Sequence, residues 1–288
     1  MTKKELLHKY KTLNVAEKLI AINLVVFVLF GLTTFLFKTN FLFDWFVLSK
    51  EGADLINKPW SIMTYSFLHQ GLLHFAMNMV MLYYVSKLFF SRFSEKLFLN
   101  IYLIGALAGG ALFLLSYNLF PVFNNQISFL VGASASVMAV LIFICASLPQ
   151  MEVAVFTFKV KLWQLGAFFV VLDLVQIPIG NSGGHIAHLG GALLGYLYAT
   201  QLKKGNDIGK GFGKLIDTIA SWFSSRNKSK LKTVHKTKSE RRTSDKTVHQ
   251  KKRLKQEQID SILDKISKSG YESLSKEEKA FLFQSGKE

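Results

Sequence analysis

The chain has 288 residues, of which 50% are hydrophobic, and yet it carries a formal net charge of +16. A soluble globular protein of this length rarely combines these two properties. The contradiction resolves because apolar runs fill the chain up to about Leu202, whereas charged residues dominate beyond it. The single cysteine, Cys145, excludes an intrachain disulfide and a CxxC metal site.

Six runs are long and apolar enough to be membrane-spanning helices, because crossing the hydrocarbon core takes roughly 20 residues. The runs are apolar all round rather than along one stripe, which favours membrane spans over the core helices of a soluble protein. The predicted fold class is therefore an all-α polytopic membrane protein. The predicted spans cover residues 19–37, 72–90, 97–119, 129–148, 162–177 and 186–202.

The basic residues predict an orientation for this bundle. Lysines and arginines precede the first span, lie between the second and third and between the fourth and fifth, and follow the sixth. Residues 116–128 and 178–184 are nearly free of positive charge. The positive-inside rule therefore predicts that both termini are cytoplasmic. No cleavable signal peptide or organelle-targeting segment is evident, so a bacterial cytoplasmic membrane is the expected location.

The chain is expected to divide into four segments. These are a cytoplasmic N-terminus (1–18), the membrane domain (19–202), an amphipathic helix with a basic linker (203–255) and a small helical hairpin (256–288). Residues 208–223 place apolar side chains on one helical face, which is typical of a helix lying on a membrane surface. Residues 226–255 are predicted to be disordered and attracted to anionic lipid. Nucleic acid is the rival partner for this basic run, but tethering at the membrane favours lipid.

The connection between the first two predicted spans is unusually long and rich in aromatic residues. Aromatic side chains in a loop indicate a position in the membrane interface rather than in water. Two roles remain open for this segment, simple anchoring and the admission of a substrate. The aromatic residues are Phe41, Phe43, Trp45, Phe46 and Trp60.

Polar side chains within membrane spans are costly and tend to be functional. Three predicted spans carry such side chains near their starts, and all three run in the same direction. Their polar groups are therefore expected to meet at one depth, on the external side. They are His74 and Asn78 in the second span, Ser134 and Ser136 in the fourth, and His185 and His188 in the sixth.

This set of residues suits nucleophilic catalysis. A serine hydroxyl is a poor nucleophile until a base takes its proton, and His188 can be that base for Ser134. Acyl transfer also requires donors aimed at the developing oxyanion. His74 and Asn78, four residues apart, project from one helix face. The Ser134 N–H adds a third donor if Gly132 lets the chain deform there.

Small residues are needed to bring the serine and the histidine within hydrogen-bond distance. Gly191 and Gly195 follow His188 in a small-xxx-small spacing, which permits close helix packing. The glycine spacing also favours Ser134 over Ser136 and His188 over His185. Two residues along a helix correspond to about 200° of rotation, so only one of the two serines can face the histidine.

With these motifs in this order, the chain resembles the rhomboid proteases over about residues 46–200. The resemblance rests on His69, His74 and Asn78, on Gly132-Ala133-Ser134, and on His188-Leu189-Gly190-Gly191 with Gly195. It implies a six-helix bundle in which Ser134 is the nucleophile and His188 the base. His74, Asn78 and the Ser134 N–H would form the oxyanion hole, and no cofactor or metal is implied. Residues 259–283 also resemble a small C-terminal helical module of some bacterial rhomboids.

Some positions depart from the family pattern. Ala135 follows the serine where the family usually has glycine, and Met138 stands where the family often has an aromatic ring. Ser61 follows Trp60 in place of an arginine. Asp173, near the external end of the fifth span, is not assigned to orient His188, so a Ser–His dyad is expected.

The predicted function is that of an intramembrane serine endopeptidase. It would hydrolyse peptide bonds in or next to transmembrane segments of other membrane proteins, with the lipid bilayer as its surroundings and no nucleic-acid partner. The alternative is a non-catalytic rhomboid-like protein that binds or escorts membrane proteins. A proton or ion pathway through the histidines is a third possibility, although no series of charges crosses the spans.

Overall fold

The structure is a computed structural model that describes residues 5, 12–155, 157–223 and 241–285. The chain forms two compact units, Met1–Ser225 and Arg226–Glu288. The described helices of the first unit are α1 (Val15–Phe37), α2 (Phe41–Phe46), α3 (Gly52–Asn57), α4 (Ser61–Thr64), α5 (Leu72–Phe90), α6 (Glu95–Leu119), α7 (Ser134–Ser147), α8 (Leu162–Gln176), α9 (Ser182–Lys203) and α10 (Lys210–Phe223).

The predicted fold class, a helical membrane bundle, is confirmed. Each predicted span overlaps one helix of the structure: α1, α5, α6, α7, α8 or α9. Within the described residues, α1, α5 and α6 are long and apolar enough to cross a membrane by themselves, and α7 and α8 are shorter apolar helices. A helix rises about 1.5 Å per residue, so the 14 residues of α7 do not reach across the hydrocarbon core. The count of six spans therefore stays a prediction.

The fourth span begins as extended chain and not as helix. Strand β2 (Phe129–Leu130) pairs antiparallel with β1 (Leu48–Ser49). The N–H of Gly132 then donates to the Tyr65 carbonyl over 3.0 Å. Gly132 has a φ of +118°, a conformation that side chains with a Cβ rarely adopt. These constraints keep the chain out of a helix until Ser134.

Helix α7 lies at the centre of the bundle. All of its residues from Ala135 to Cys145 are buried, and it packs against α5, α6, α8 and α9. A hairpin of β3 (Glu152–Val155) and β4 (Phe158–Lys161) connects it to α8. The sequence analysis did not predict this hairpin.

Helices α7 and α9 approach so closely that no side chain fits between them at two positions. A Cβ on Gly191 would lie 2.1 Å from the Ala135 carbonyl oxygen, and a Cβ on Gly195 would lie 2.2 Å from that of Ala139. The close packing predicted from the glycine spacing therefore corresponds to backbone-to-backbone contact.

The aromatic segment between α1 and α5 is folded into short helices. The rings of Trp45 and Trp60 stack with centroids 5.7 Å apart, and Trp60 Nε1 donates to the Trp45 carbonyl over 2.8 Å. Both indoles remain about 40% exposed. Amphipathic rings held in this way suit the interface between lipid and water.

Helix α10 follows the bundle and retains the predicted amphipathic character. Its apolar side chains Leu215, Ile219 and Trp222 are exposed. Its polar face is tied to α6 by an ion pair between Asp217 and Lys96. The exposed apolar face is therefore free to contact lipid.

The second unit contains α11 (Arg241–Ser269), a 3-10 turn (Tyr271–Ser273) and α12 (Lys276–Ser285). The hairpin predicted for residues 256–288 stays a prediction, and α11 begins at Arg241, within the stretch expected to be a disordered linker, and not near Gln256. The rest of that stretch, 226–240, lies outside the described residues. Ser275 and Glu278 cap α12 reciprocally. Lys265 donates to Glu278, which lowers the pKa of that carboxyl below its usual value.

We expect Gly195→Ala to destabilise the bundle, because the new methyl group must push α7 and α9 apart. Overpacking of this kind costs about 1–3 kcal/mol. Thermal unfolding of the purified protein in detergent measures the loss. Gly31→Ala in α1 is the matched control, since a Cβ there meets no atom within 4 Å. Equal unfolding temperatures for the two variants would contradict the close contact.

Candidate active site

A cavity of about 250 Å³ lies among α5, α7, α8 and α9. The ends of the helices that carry the predicted polar residues meet there. Its polar lining comes from each of these four helices: Asn78, Ser134, Asp173, His185 and His188.

Ser134 occupies the first position of α7. The first N–H groups of a helix have no partner within it, and the first backbone bond into α7 comes from Val137 to the Ala133 carbonyl. Ser134 thus lines the cavity at the start of the helix, where its N–H has no partner within α7. Ser136 is fully buried and its backbone packs next to Gly105 of α6, so it faces away from the cavity.

Asp173 of α8 contacts both histidines of α9. Its Oδ1 lies 2.8 Å from Nδ1 of His188 and 2.7 Å from Nδ1 of His185. Because a carboxylate accepts hydrogen bonds, each ring carries its proton on Nδ1 in this arrangement. In a neutral ring with its proton on Nδ1, the Nε2 atom of His188 keeps the lone pair that a general base requires.

The expectation that no carboxylate orients His188 is therefore wrong. Asp173 was recognised near the external end of the fifth predicted span but was not assigned to His188, which follows it by 15 residues on another helix. A signal was available, since a lone carboxylate in an apolar helix is by default functional and has a partner. Asp173 is 5% exposed, and on α8 only Leu162 and Gly166 are also buried.

Ser134 and His188 both line this cavity, but the structure shows no hydrogen bond between these two described residues. Catalytic hydrogen bonds are often long in the absence of substrate and shorten when it binds. A nucleophile, an imidazole and a carboxylate from three helices thus form a set suited to acyl transfer.

The two predicted oxyanion donors lie on α5. Asn78 lines the cavity, and its Nδ2 donates one hydrogen to the His74 carbonyl over 2.9 Å, which leaves a second hydrogen on the same nitrogen. The His74 ring lies against Gly132, where a Cβ would come within 2.8 Å of its Cε1 and Nε2. His74 thus borders the loop before Ser134, although it is not part of the cavity wall.

His69 has a structural contact that the sequence did not reveal. Its ring packs edge-on against His74 with centroids 5.3 Å apart, and its Nε2 accepts the Ala133 N–H over 3.5 Å. Burial, followed by the proximity of His74, lowers the pKa of His69 to about 4. The ring is therefore neutral at pH 7 and able to accept this hydrogen bond.

Among the described residues, one group of side chains has the composition of a metal site. The candidate ligand atoms of Asp173, His185 and His188 all lie within 4.8 Å of one another.

Comparison with known proteins identifies two regions of similarity. Residues 57–204, just over half of the chain, match the rhomboid domain, and residues 242–287 match a family of unknown function (DUF6576). The chain is 30% identical over 137 residues to presenilin-associated rhomboid-like protein A, mitochondrial, of Danio rerio, a match that covers 46% of this chain and 35% of the relative. It is 28% identical over 156 residues to the human presenilin-associated rhomboid-like protein, mitochondrial, covering 53% of this chain and 40% of the relative. The chain thus matches well under half of the length of these curated relatives.

The predicted location is contradicted by these relatives. Both are named as mitochondrial proteins, which contradicts the bacterial cytoplasmic membrane that was expected. The expectation rested on the absence of a recognisable targeting segment, which is a weak signal. The prediction of cytoplasmic termini and of an active site on the external side belonged to that location and loses its support with it.

We expect Asp173→Asn to weaken the preference of His188 for the tautomer with its proton on Nδ1, because an amide oxygen accepts a hydrogen bond from Nδ1–H less strongly than a carboxylate does. Hydrogen bonds to charged groups contribute about 1.5–3 kcal/mol, so the preference for the Nδ1–H form should fall about tenfold or more. Nitrogen-15 NMR of histidine-labelled protein reports the tautomer directly. Asp207→Asn is the control, because Asp207 accepts from Tyr198 and not from a histidine. An unchanged His188 signal in Asp173→Asn would contradict the orienting contact.

Proposed function

This chain belongs to the rhomboid family, and on that premise we propose that it is an intramembrane serine endopeptidase. It hydrolyses peptide bonds in or next to transmembrane segments of other membrane proteins. The observation that carries the proposal is the contact of Asp173 with His188 beside Ser134 in one cavity. A carboxylate buried in an apolar helix is costly, and a purely structural bundle gains nothing evident from placing it on a histidine next to a serine.

The proposed reaction begins when a substrate carbonyl carbon enters the cavity next to Ser134. Ser134 Oγ attacks this carbon while Nε2 of His188 takes the hydroxyl proton. Asp173 keeps His188 in the required tautomer and stabilises the imidazolium that forms. The imidazolium then protonates the leaving amine, and a water molecule activated by the same ring hydrolyses the acyl-enzyme. The catalytic unit in this proposal is Ser134–His188–Asp173 and no longer the dyad expected from the sequence.

Stabilisation of the oxyanion is assigned to three donors. The Ser134 N–H is one of the unpaired groups at the start of α7, and the positive end of the helix dipole lies at the same place. Asn78 Nδ2 offers its second hydrogen, and the His74 ring borders the loop that carries the serine. Preorganised donors of this kind are usually the largest single contribution to such catalysis.

Transmembrane substrates are proposed to approach between α5 and α8. The apolar lining of the cavity includes Met77 and Met81 on α5 and Phe169 and Leu172 on α8, with α7 lying between these two helices. An apolar entrance of this kind suits a lipid-embedded helix, and Ser134 lies in the lining of the same cavity. Anionic lipid is the proposed partner of the basic tail, through electrostatic attraction to Lys and Arg side chains.

The alternative is a rhomboid-like protein that binds or escorts membrane proteins without cutting them. The exposed apolar helices of the bundle would serve such a role equally well. The two functions differ in the reactivity of Ser134. A fluorophosphonate probe labels an activated serine, and a serine in a binding protein would remain unlabelled.

We expect Ser134→Ala to reduce cleavage of a reporter membrane protein to background. Loss of the nucleophile of a catalytic triad typically costs on the order of 10⁶ in kcat. Ser136→Ala is the matched control, since it removes a serine hydroxyl from the same helix on the face turned away from the cavity. Cleavage and fluorophosphonate labelling should both survive in the control. Undiminished cleavage by the Ser134→Ala protein would refute the proposed function.

We expect Asn78→Ala to lower kcat by roughly 10²–10³ with little change in KM, because an oxyanion donor acts in the transition state. Steady-state kinetics with a purified membrane substrate separates the two constants. Asn118→Ala serves as the control, because this exposed asparagine of α6 lies outside the cavity wall. A rise in KM at constant kcat would instead assign Asn78 to substrate binding.

A further inference from the structure

We propose that Asp173, His185 and His188 bind a Zn²⁺ ion, and that the bound ion inhibits the proposed peptidase. The first half of this inference stands on the geometry of the three side chains. The second half rests on the proposed function, because it concerns the general base of that reaction.

His185 is the residue that the proposed catalysis leaves without a role. It donates to the same carboxylate oxygen as His188, and the two rings lie edge to face with centroids 5.7 Å apart. A carboxylate needs only one imidazole partner to orient a base. Two imidazole nitrogens converging on one carboxylate oxygen match the donor set of a zinc site with three protein ligands.

The second oxygen of Asp173 points to the same conclusion. Asp173 is 5% exposed, and its Oδ2 is buried with no hydrogen-bond donor among the described residues. A buried carboxylate oxygen without a partner is costly. A cation coordinated by both oxygens of this carboxylate, together with the two rings, would satisfy it.

The distances are compatible with a small ion after a modest adjustment. Zinc binds imidazole nitrogen and carboxylate oxygen at about 2.0–2.2 Å, so neighbouring ligands of a tetrahedral ion lie roughly 3.3 Å apart. The oxygen-to-nitrogen distances of 2.7 and 2.8 Å must therefore open by about half an ångström. The side chains of His185 and His188 are 18% and 21% exposed, so an ion can reach them from the cavity.

The composition of the site favours zinc over magnesium or calcium. Imidazole is a ligand for zinc and other late first-row metals, whereas magnesium and calcium prefer oxygen ligands. Three protein ligands leave the fourth position of a tetrahedral ion to water from the cavity.

Occupation of this site would remove the general base. Zinc bonds to the Nδ1 lone pair of His188, so the proton that was on Nδ1 moves to Nε2. The Nε2–H form has no lone pair left to accept the Ser134 proton. The same shift occurs in His185, so the two neutral rings release no net proton when the ion binds.

The test begins with binding in the full-length Ser134→Ala protein, which needs no activity. Equilibrium dialysis against Zn²⁺ should give one tightly bound ion per chain, and Mg²⁺ should not compete. We expect His185→Gln in this background to weaken binding at least about tenfold, since loss even of a group behind a metal ligand costs about 10–100-fold. His69→Gln is the matched control, because His69 and His74 form the other close histidine pair of the described bundle. Equal zinc affinity with and without His185 would overturn the site.

A second measurement guards against variants that fail to fold. In the unmodified, histidine-labelled chain, Zn²⁺ should shift the Nδ1 signals of His185 and His188 and leave those of His69 in place. Zinc shifts confined to other histidines would also overturn the site.

The inhibitory half is tested with the unmodified protein. Zn²⁺ should abolish reporter cleavage, a chelator should restore it, and His185→Gln should need at least about tenfold more zinc relative to its own zinc-free rate. Zinc that binds at the site without slowing cleavage, or that accelerates it, would overturn this half. If the protein shows no cleavage even without zinc, the proposed function fails while the binding result stands.

Discussion

Everything at the site depends on backbone contact between α7 and α9. The carbonyl groups of Ala135 and Ala139 occupy the places where side chains of residues 191 and 195 would otherwise stand. Lipid offers helices no hydrophobic drive to associate, so close van der Waals contact must supply much of the attraction. The same contact sets the distance between the serine on one helix and the histidine on the other. Stability and chemistry are therefore determined by one set of glycines.

A second constraint is the ionisable cluster inside an apolar bundle. Burying Asp173 is unfavourable unless hydrogen bonds compensate for the lost hydration. The two Nδ1–H groups of α9 provide that compensation on one oxygen only. The two histidines thus hold Asp173 in place. Helix α8 has few buried side chains of its own, and this contact ties it to the bundle near the cavity. An element with so little packing is the natural one to yield when a substrate enters.

The sequence was sufficient for the apolar helices of the bundle and for the positions of most polar residues. Apolar runs are long-range patterns that tertiary contacts rarely override, and histidines or asparagines inside them are conspicuous. It was insufficient for features that depend on contacts between distant segments. Helix α7 begins at Ser134 and not at residue 129, because β2 pairs with β1, about 80 residues away along the chain. The contact of Asp173 with His188 requires the relative rotation of two helices, which hydropathy does not encode.

The attachment of the segment before Ser134 has a consequence for how the bilayer acts on this protein. Leu130 pairs with Leu48, and the Gly132 N–H donates to the Tyr65 carbonyl, so the chain leading to Ser134 is joined to the aromatic segment that is predicted to lie in the membrane interface. Membranes differ in thickness by a few ångströms, and interfacial aromatic rings follow the headgroup level. A change in thickness that displaces Trp45 and Trp60 would therefore act on the position of the nucleophile. For the proposed peptidase, the lipid composition itself would then influence the reactivity of Ser134.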